Sequence, residues 1–185
     1  MNFYHNLSSM ELTSKPCTSR EQGEKLMGLG LKKETADMVW HYTKSHSDLM
    51  KWELKPHPPI TINNFQGNIS RLNIFKQKNS YGEVMTGEEY FYELWGRDIP
   101  AWSLTRLCEL LPKEICYQGI LYELHIEVAE EMISYCPCAS SRRLRKLEYF
   151  YGEETIYDNI IKGVRWLVTE GYFNDEYLDG EHLGD

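Results

Sequence analysis

No stretch of this sequence approaches the roughly 20 consecutive apolar residues that a membrane-spanning helix needs, so a membrane role is not expected. Basic residues are in the minority. Lys and Arg number 20 against 28 Asp and Glu, a formal charge of -8. That balance opposes general nucleic-acid binding, which needs a basic face to neutralise phosphates. The opening residues, MNFYHNLSSMEL, have neither the basic start nor the apolar run of a secretory signal, and a cytoplasmic location is expected. Cysteines number five, an odd count, which suits reduced thiols in the cytosol better than a disulfide framework. A phosphate-binding loop is missing too: GLGL at 28–31 follows a helical pattern, not a strand, and lacks the lysine. We find no internal repeat, and the sequence calls for no cofactor.

What is present is a chain of 185 residues, long enough to bury a core of its own and suited to one domain. Aromatics make up 13%, with 13 tyrosines. Each tyrosine combines a ring to bury with a hydroxyl that needs a partner, so half-buried tyrosines are expected along grooves or interfaces.

Residues 1–11 and 174–185 are expected to be mobile; the second stretch carries five acids and no basic residue. Thr18 with Glu21 reads as a capping box for a helix over 19–28, stopped by Gly28 and Gly30. Val39, Trp40 and Tyr42 have strand character. Pro56, Pro58 and Pro59 forbid helix, and 56–85 reads as a long loop or irregular insert. Thr86 with Glu89 caps a short helix ended by Gly96. Tyr122, Leu124, Ile126 and Val128 alternate with Glu123, His125 and Glu127, a period of two that predicts a half-wet strand; Met132 to Cys136 can return as its partner. Thr155 caps the strongest helix, whose stripe is Ile156, Ile160, Val164, Leu167 and Val168. Gly163 inside it predicts close packing on a sheet. The expected fold is α+β: a small antiparallel sheet around 120–137, joined by 39–43 and 145–151, covered on one face by the C-terminal helix, with additional short helices.

The segment DIPAWSLTRLCELLPKEI at 98–115 reads as a device for seating a short helix. Ser103 is the N-cap, Trp102 before it and Leu107 after it form a hydrophobic staple, and Pro112 closes the segment. Trp102, Ser103 and Leu107 are therefore structural.

Chemistry-bearing candidates are sparse. Cys136 and Cys138 have one residue between them and no second pair, which does not match common zinc spacing; they read as small, half-buried residues at a strand end, and no metal is expected. A thiol nucleophile needs a neighbouring base; Cys138 or Cys136 with His125 is the one arrangement the strand pairing could bring together, and would make a small cysteine hydrolase. His41 and His46 would not share a face. The basic run at 142–146, with Arg142, Arg143 and Arg145, could contact nucleic acid or form a solvated face. Tyr90, Phe91, Tyr92, Trp95 and Trp102 read mainly as packing around the short helix, with Tyr90, Tyr92 and Trp95 available as a binding surface.

Three segments, SREQGEKLMGLGLKKETADMVW, IPAWSLTRLCELLP and ETIYDNIIKGVRWLVTEGYF, together resemble a family of short acidic proteins of Bacteroides-type gut bacteria and their prophages and mobile elements. PAWSL with its following helix carries the resemblance most specifically; the 55–90 insert and CPC depart from it. The resemblance implies a cytoplasmic accessory protein and supplies no catalytic residues. The favoured expectation is a non-enzymatic accessory protein that binds another protein. The alternatives are the cysteine hydrolase and a nucleic-acid accessory protein.

Overall fold

The computed structural model describes residues 15–44, 50–138, 147–152 and 155–180. Its helices are α1 (Arg20–Gly28), α2 (Gly87–Trp95), α3 (Leu104–Leu110) and α4 (Ile156–Thr169). Each starts behind a hydroxyl. Ser19, Thr86, Ser103 and Thr155 each accept a backbone N–H from the first turn, satisfying a donor that the helix itself cannot. The box expected at Thr18 and Glu21 lies one residue later, at Ser19 and Gln22. Thr18 is otherwise engaged: its hydroxyl accepts the Trp102 N–H at 3.1 Å and its own N–H donates to the Trp102 carbonyl at 3.0 Å. Helices α1 and α4 end alike. Gly30 and Gly171 take positive φ of 90° and 71°, and the following N–H groups reach back to Leu26 and Leu167, the bonding of a Schellman turn.

The strands form two antiparallel sheets. In the first, β1 (Met38–Lys44) lies between β2 (Met50–Lys55) and β3 (Ile99–Ala101). In the second, β4 (Glu114–Tyr117), β5 (Ile120–Glu127), β6 (Met132–Pro137) and β7 (Glu148–Phe150) follow in sequence order. The α+β class and the helix-covered sheet are as the sequence predicts, and β7 joins where 145–151 was expected. The placing of 39–43 in that same sheet is corrected. Both edges of β1 are taken, by β2 and by β3, so it has no edge left for the larger sheet.

Alternation decides which face of the second sheet is dry. Ile120, Tyr122, Leu124 and Ile126 point to the core while Leu121, Glu123, His125 and Glu127 are exposed. Val128, expected to continue the inner row, is exposed, because the chain leaves the strand there in a 3-10 turn, Val128–Glu130. Against the dry face lies α4, burying Ile156, Ile160, Val164 and Leu167. A side chain on Gly163 would collide with Ile133 of β6, so the helix's interior glycine marks its closest approach to the sheet.

The chain end is packed over the part that is described. Phe173 and Leu178 are buried, Leu178 pairs with Leu31, and the Asp179 N–H donates to the Gly30 carbonyl at 2.8 Å. Residues 174–180 are thus docked where a loose tail was expected, because two apolar side chains offset the surrounding acids. The 56–85 segment carries a 3-10 helix, Ile69–Phe75, and an isolated bridge between Lys78 and Val84. Its 3-10 helix packs on the start of α2, where Gly87 meets the Ile69 carbonyl so closely that a Cβ would overlap it.

Candidate functional site

Trp102 is completely buried, and Leu107 nearly so, in the same core cluster. The Trp102 indole N–H donates to the Thr35 hydroxyl at 3.0 Å, and the Ser103 N–H to Asp37 at 2.8 Å. One turn into α3, the Arg106 Nε donates to the Thr35 carbonyl at 2.7 Å. Every polar group of this segment so named is spent on another part of the chain, and none is left to meet a ligand. The five aromatics grouped by the sequence reading divide in two. Trp102 belongs to the main core, whereas Phe91 packs with Trp95 at 5.0 Å and with Phe65 at 5.3 Å between ring centres.

The outer face of the second sheet holds the thiol candidates. Strand register puts His125 opposite Ser134 and Cys136 opposite Glu123. Residues directly opposite share a face, so His125 and Cys136 are diagonal neighbours on the exposed side. Among the described residues no hydrogen bond joins His125 to either cysteine; Cys136 lies 3.6 Å from the Ser134 hydroxyl. Cys138 is exposed, not half-buried as expected, and its thiol pKa is raised by partial desolvation, by a hydrogen bond to Glu123 and by the Glu114 carboxylate. Carboxylates beside a thiol favour its protonated form, the opposite of what a nucleophile requires. Among the described residues no cluster of His, Cys, Asp and Glu could hold a metal ion. Arg142, Arg143 and Arg145 lie outside the described residues.

One titratable pair was not foreseen. The half-buried His41 on β1 donates through Nδ1 to Asp98, 2.8 Å from one carboxylate oxygen and 3.1 Å from the other. The Tyr42 N–H reaches the same carboxylate at 3.3 Å. Burial raises the Asp98 pKa, and its bonds to His41 oppose that rise. The pair orients the imidazole, but among the described residues no Ser, Thr or Cys side chain hydrogen-bonds to His41, so no nucleophile is matched to it. Asp98 carries no local signal; its partner is 57 positions away.

Beside Asp98 opens a groove of about 430 Å³, lined by Phe91, Tyr92 and Trp95 of α2 and by Ile60 and Ile62 of the insert. Tyr92 is exposed, while Tyr90 and Trp95 are half-buried. Phe65 packs on both Phe91, at 5.3 Å, and Trp95, at 5.6 Å between ring centres, so the rings brace one another. Glu34, Asp98 and Asp179 also line the groove, with Lys33 the single cation among its lining residues. Although burial opposes it, hydrogen bonds from Thr61 and Asn63 hold the Glu34 carboxyl below its ordinary pKa. Tyr92 and Trp95 are legible in the sequence as a binding surface; the insert residues and acids that complete this site are not, because they come from four separated parts of the chain.

No helix among the described residues is long and apolar enough to cross a membrane. Compared with protein-family models, curated proteins and solved structures, the chain matches none.

Proposed function

We propose that this protein is a non-enzymatic binding module whose partner protein docks on the lobe formed by the insert and α2. One observation carries the reading. Ile62, Ile74, Phe75, Tyr81, Val84 and Tyr92, six of the ten large hydrophobic residues exposed among the described residues, fall within 62–92. Tyr81 is 87% and Ile74 72% exposed. Large apolar side chains left in water along one stretch of chain are what a docked partner would cover, and aromatic residues anchor such sites at low entropic cost. The setting, a bacterial or phage cytoplasm, rests on the resemblance of the PAWSL helix.

The test is co-purification from the native host. Phe75→Ser with Tyr81→Ser changes only exposed rings and should keep the melting temperature within a few degrees while removing the co-purifying partner. A partner retained at unchanged yield would defeat the proposal. Thiol alkylation addresses the hydrolase alternative. Cys17, pushed up to about 11 by burial and the Asp37 charge, and Cys138 are expected to react more slowly at neutral pH than a free cysteine. Rapid alkylation of Cys138 would favour the hydrolase instead.

A further inference from the structure

Resting on the docking reading above, we infer that the α2 groove receives a cationic side chain, arginine or lysine, presented by the partner. The groove joins two features that separately are ordinary. Its lining has three aromatic residues, Phe91, Tyr92 and Trp95, held in place by ring contacts of 5.0 Å between Phe91 and Trp95 and 5.8 Å between Phe91 and Tyr92. Its remaining lining includes three carboxylates, Glu34, Asp98 and Asp179, against one ammonium, Lys33; Asp98 is buried and paired with His41, so the exposed Glu34 and Asp179 are the acids open to a newcomer.

Aromatic faces carry negative potential and attract a cation brought within about 6 Å of the ring centre. The exposed carboxylates of Glu34 and Asp179 add a partner for its N–H groups. An apolar side chain would satisfy the rings but offer the acids nothing, and the bonds from His41, Thr61 and Asn63 fill only part of the accepting capacity of Asp98 and Glu34. An acidic side chain would face both at a cost. A cation on an apolar stem matches both halves, its stem lying along Ile60 and Ile62 and its head toward the acids. The chain already uses this contact elsewhere: Arg97 lies 5.2 Å from the Tyr42 ring centre and Arg20 lies 5.0 Å from that of Trp52. The formal charge of -8 further favours approach of a basic segment.

The experiment measures fluorescence anisotropy with the full-length protein and three labelled short peptides, alternating glycine with arginine, with norleucine or with glutamate. The arginine peptide is expected to bind, the glutamate peptide not, and the arginine affinity to fall about tenfold in Tyr92→Ala and in Trp95→Ala, with weakening at high salt. Tyr92 is exposed, so its variant separates lost binding from lost folding. Glu34→Gln with Asp179→Asn should weaken the arginine peptide and leave the norleucine peptide unchanged. Norleucine binding as tight as arginine, lost in Tyr92→Ala, would overturn the cationic occupant while leaving the docking surface standing. Arginine binding that survives Tyr92→Ala and Trp95→Ala, or no binding by any peptide, would overturn the inference outright.

Discussion

Trp102 shows how much one side chain can organise. Its ring is buried in the main core, its indole N–H is satisfied by Thr35, and its backbone pairs in both directions with Thr18. It therefore joins the segment before α1, the 3-10 turn at Lys33–Thr35 and the start of α3. Trp102→Ala is expected to cost about 3–5 kcal/mol, the range for large aromatic deletions in cores. Trp102→Phe should cost less, since it keeps much of the ring's burial but leaves the Thr35 hydroxyl without its donor. Urea denaturation of both variants checks this. Equal stability of Trp102→Ala and the natural protein would mean that the segment is not seated as described. Asn159 is a counterpoint within the same core. It is fully buried, its amide donates to the Glu131 carbonyl at 2.7 Å, and its own side-chain oxygen has no partner among the described residues; burying that oxygen costs stability.

Between elements, the most informative link is Gln22. Its carbonyl oxygen caps α1 by accepting the Ser19 N–H, and its amide donates to Asp158 at 2.8 Å and to Thr155 at 3.3 Å. One side chain thus locks the capping boxes of α1 and α4 together. Burial alone would raise the Asp158 pKa, but the bonds from Gln22 and Thr155 outweigh it and hold the carboxyl below its usual value. The sign follows. A depressed pKa stabilises above the unfolded value near about 3.9, and that contribution is lost as pH falls through the folded value. Asp158→Asn is expected to be less stable than the natural protein at neutral pH, by about 1 kcal/mol, with the gap narrowing in acid. Stability curves that run parallel from neutral to acid pH would refute this. The elements were legible where signals were local. The Thr86 and Thr155 boxes, the Ser103 cap and the alternation of 120–127 all act within a few residues. The first sheet was not, since β3 is only Ile99–Ala101 and pairs with β1 across the whole insert. The Thr18 cap was misplaced by one residue because hydroxyls adjoin at 18 and 19, and only the contact with Trp102 distinguishes them.

At the scale of the whole molecule, structure and surface are segregated. The second sheet, α1, α3, α4 and the docked Phe173 and Leu178 share one core. The lobe of 59–95 has its own aromatic packing and carries six of the ten large hydrophobic residues exposed among the described residues; Leu121, Val128, Tyr149 and Tyr151 are the others. Removing residues 172–185 would uncover the Leu31 side of the core and strip two buried side chains, at about 1.5–3 kcal/mol each. The truncated chain should therefore melt well below the natural one while losing only Asp179 from the groove. The groove itself was illegible in the sequence for a geometric reason: its rings, apolar insert residues and acids come from 91–95, 60–62, 34, 98 and 179, and no local pattern ties them. The claim on which the functional account turns is that the partner sits on this lobe. Photo-crosslinking in the native host tests it most directly, with a photoreactive phenylalanine analogue installed singly at Phe75, at Tyr92, or at the exposed Val128 in the turn after β5. The account predicts a discrete protein adduct from positions 75 and 92 and none from 128; an adduct from 128 alone, or none from either lobe position, would contradict it.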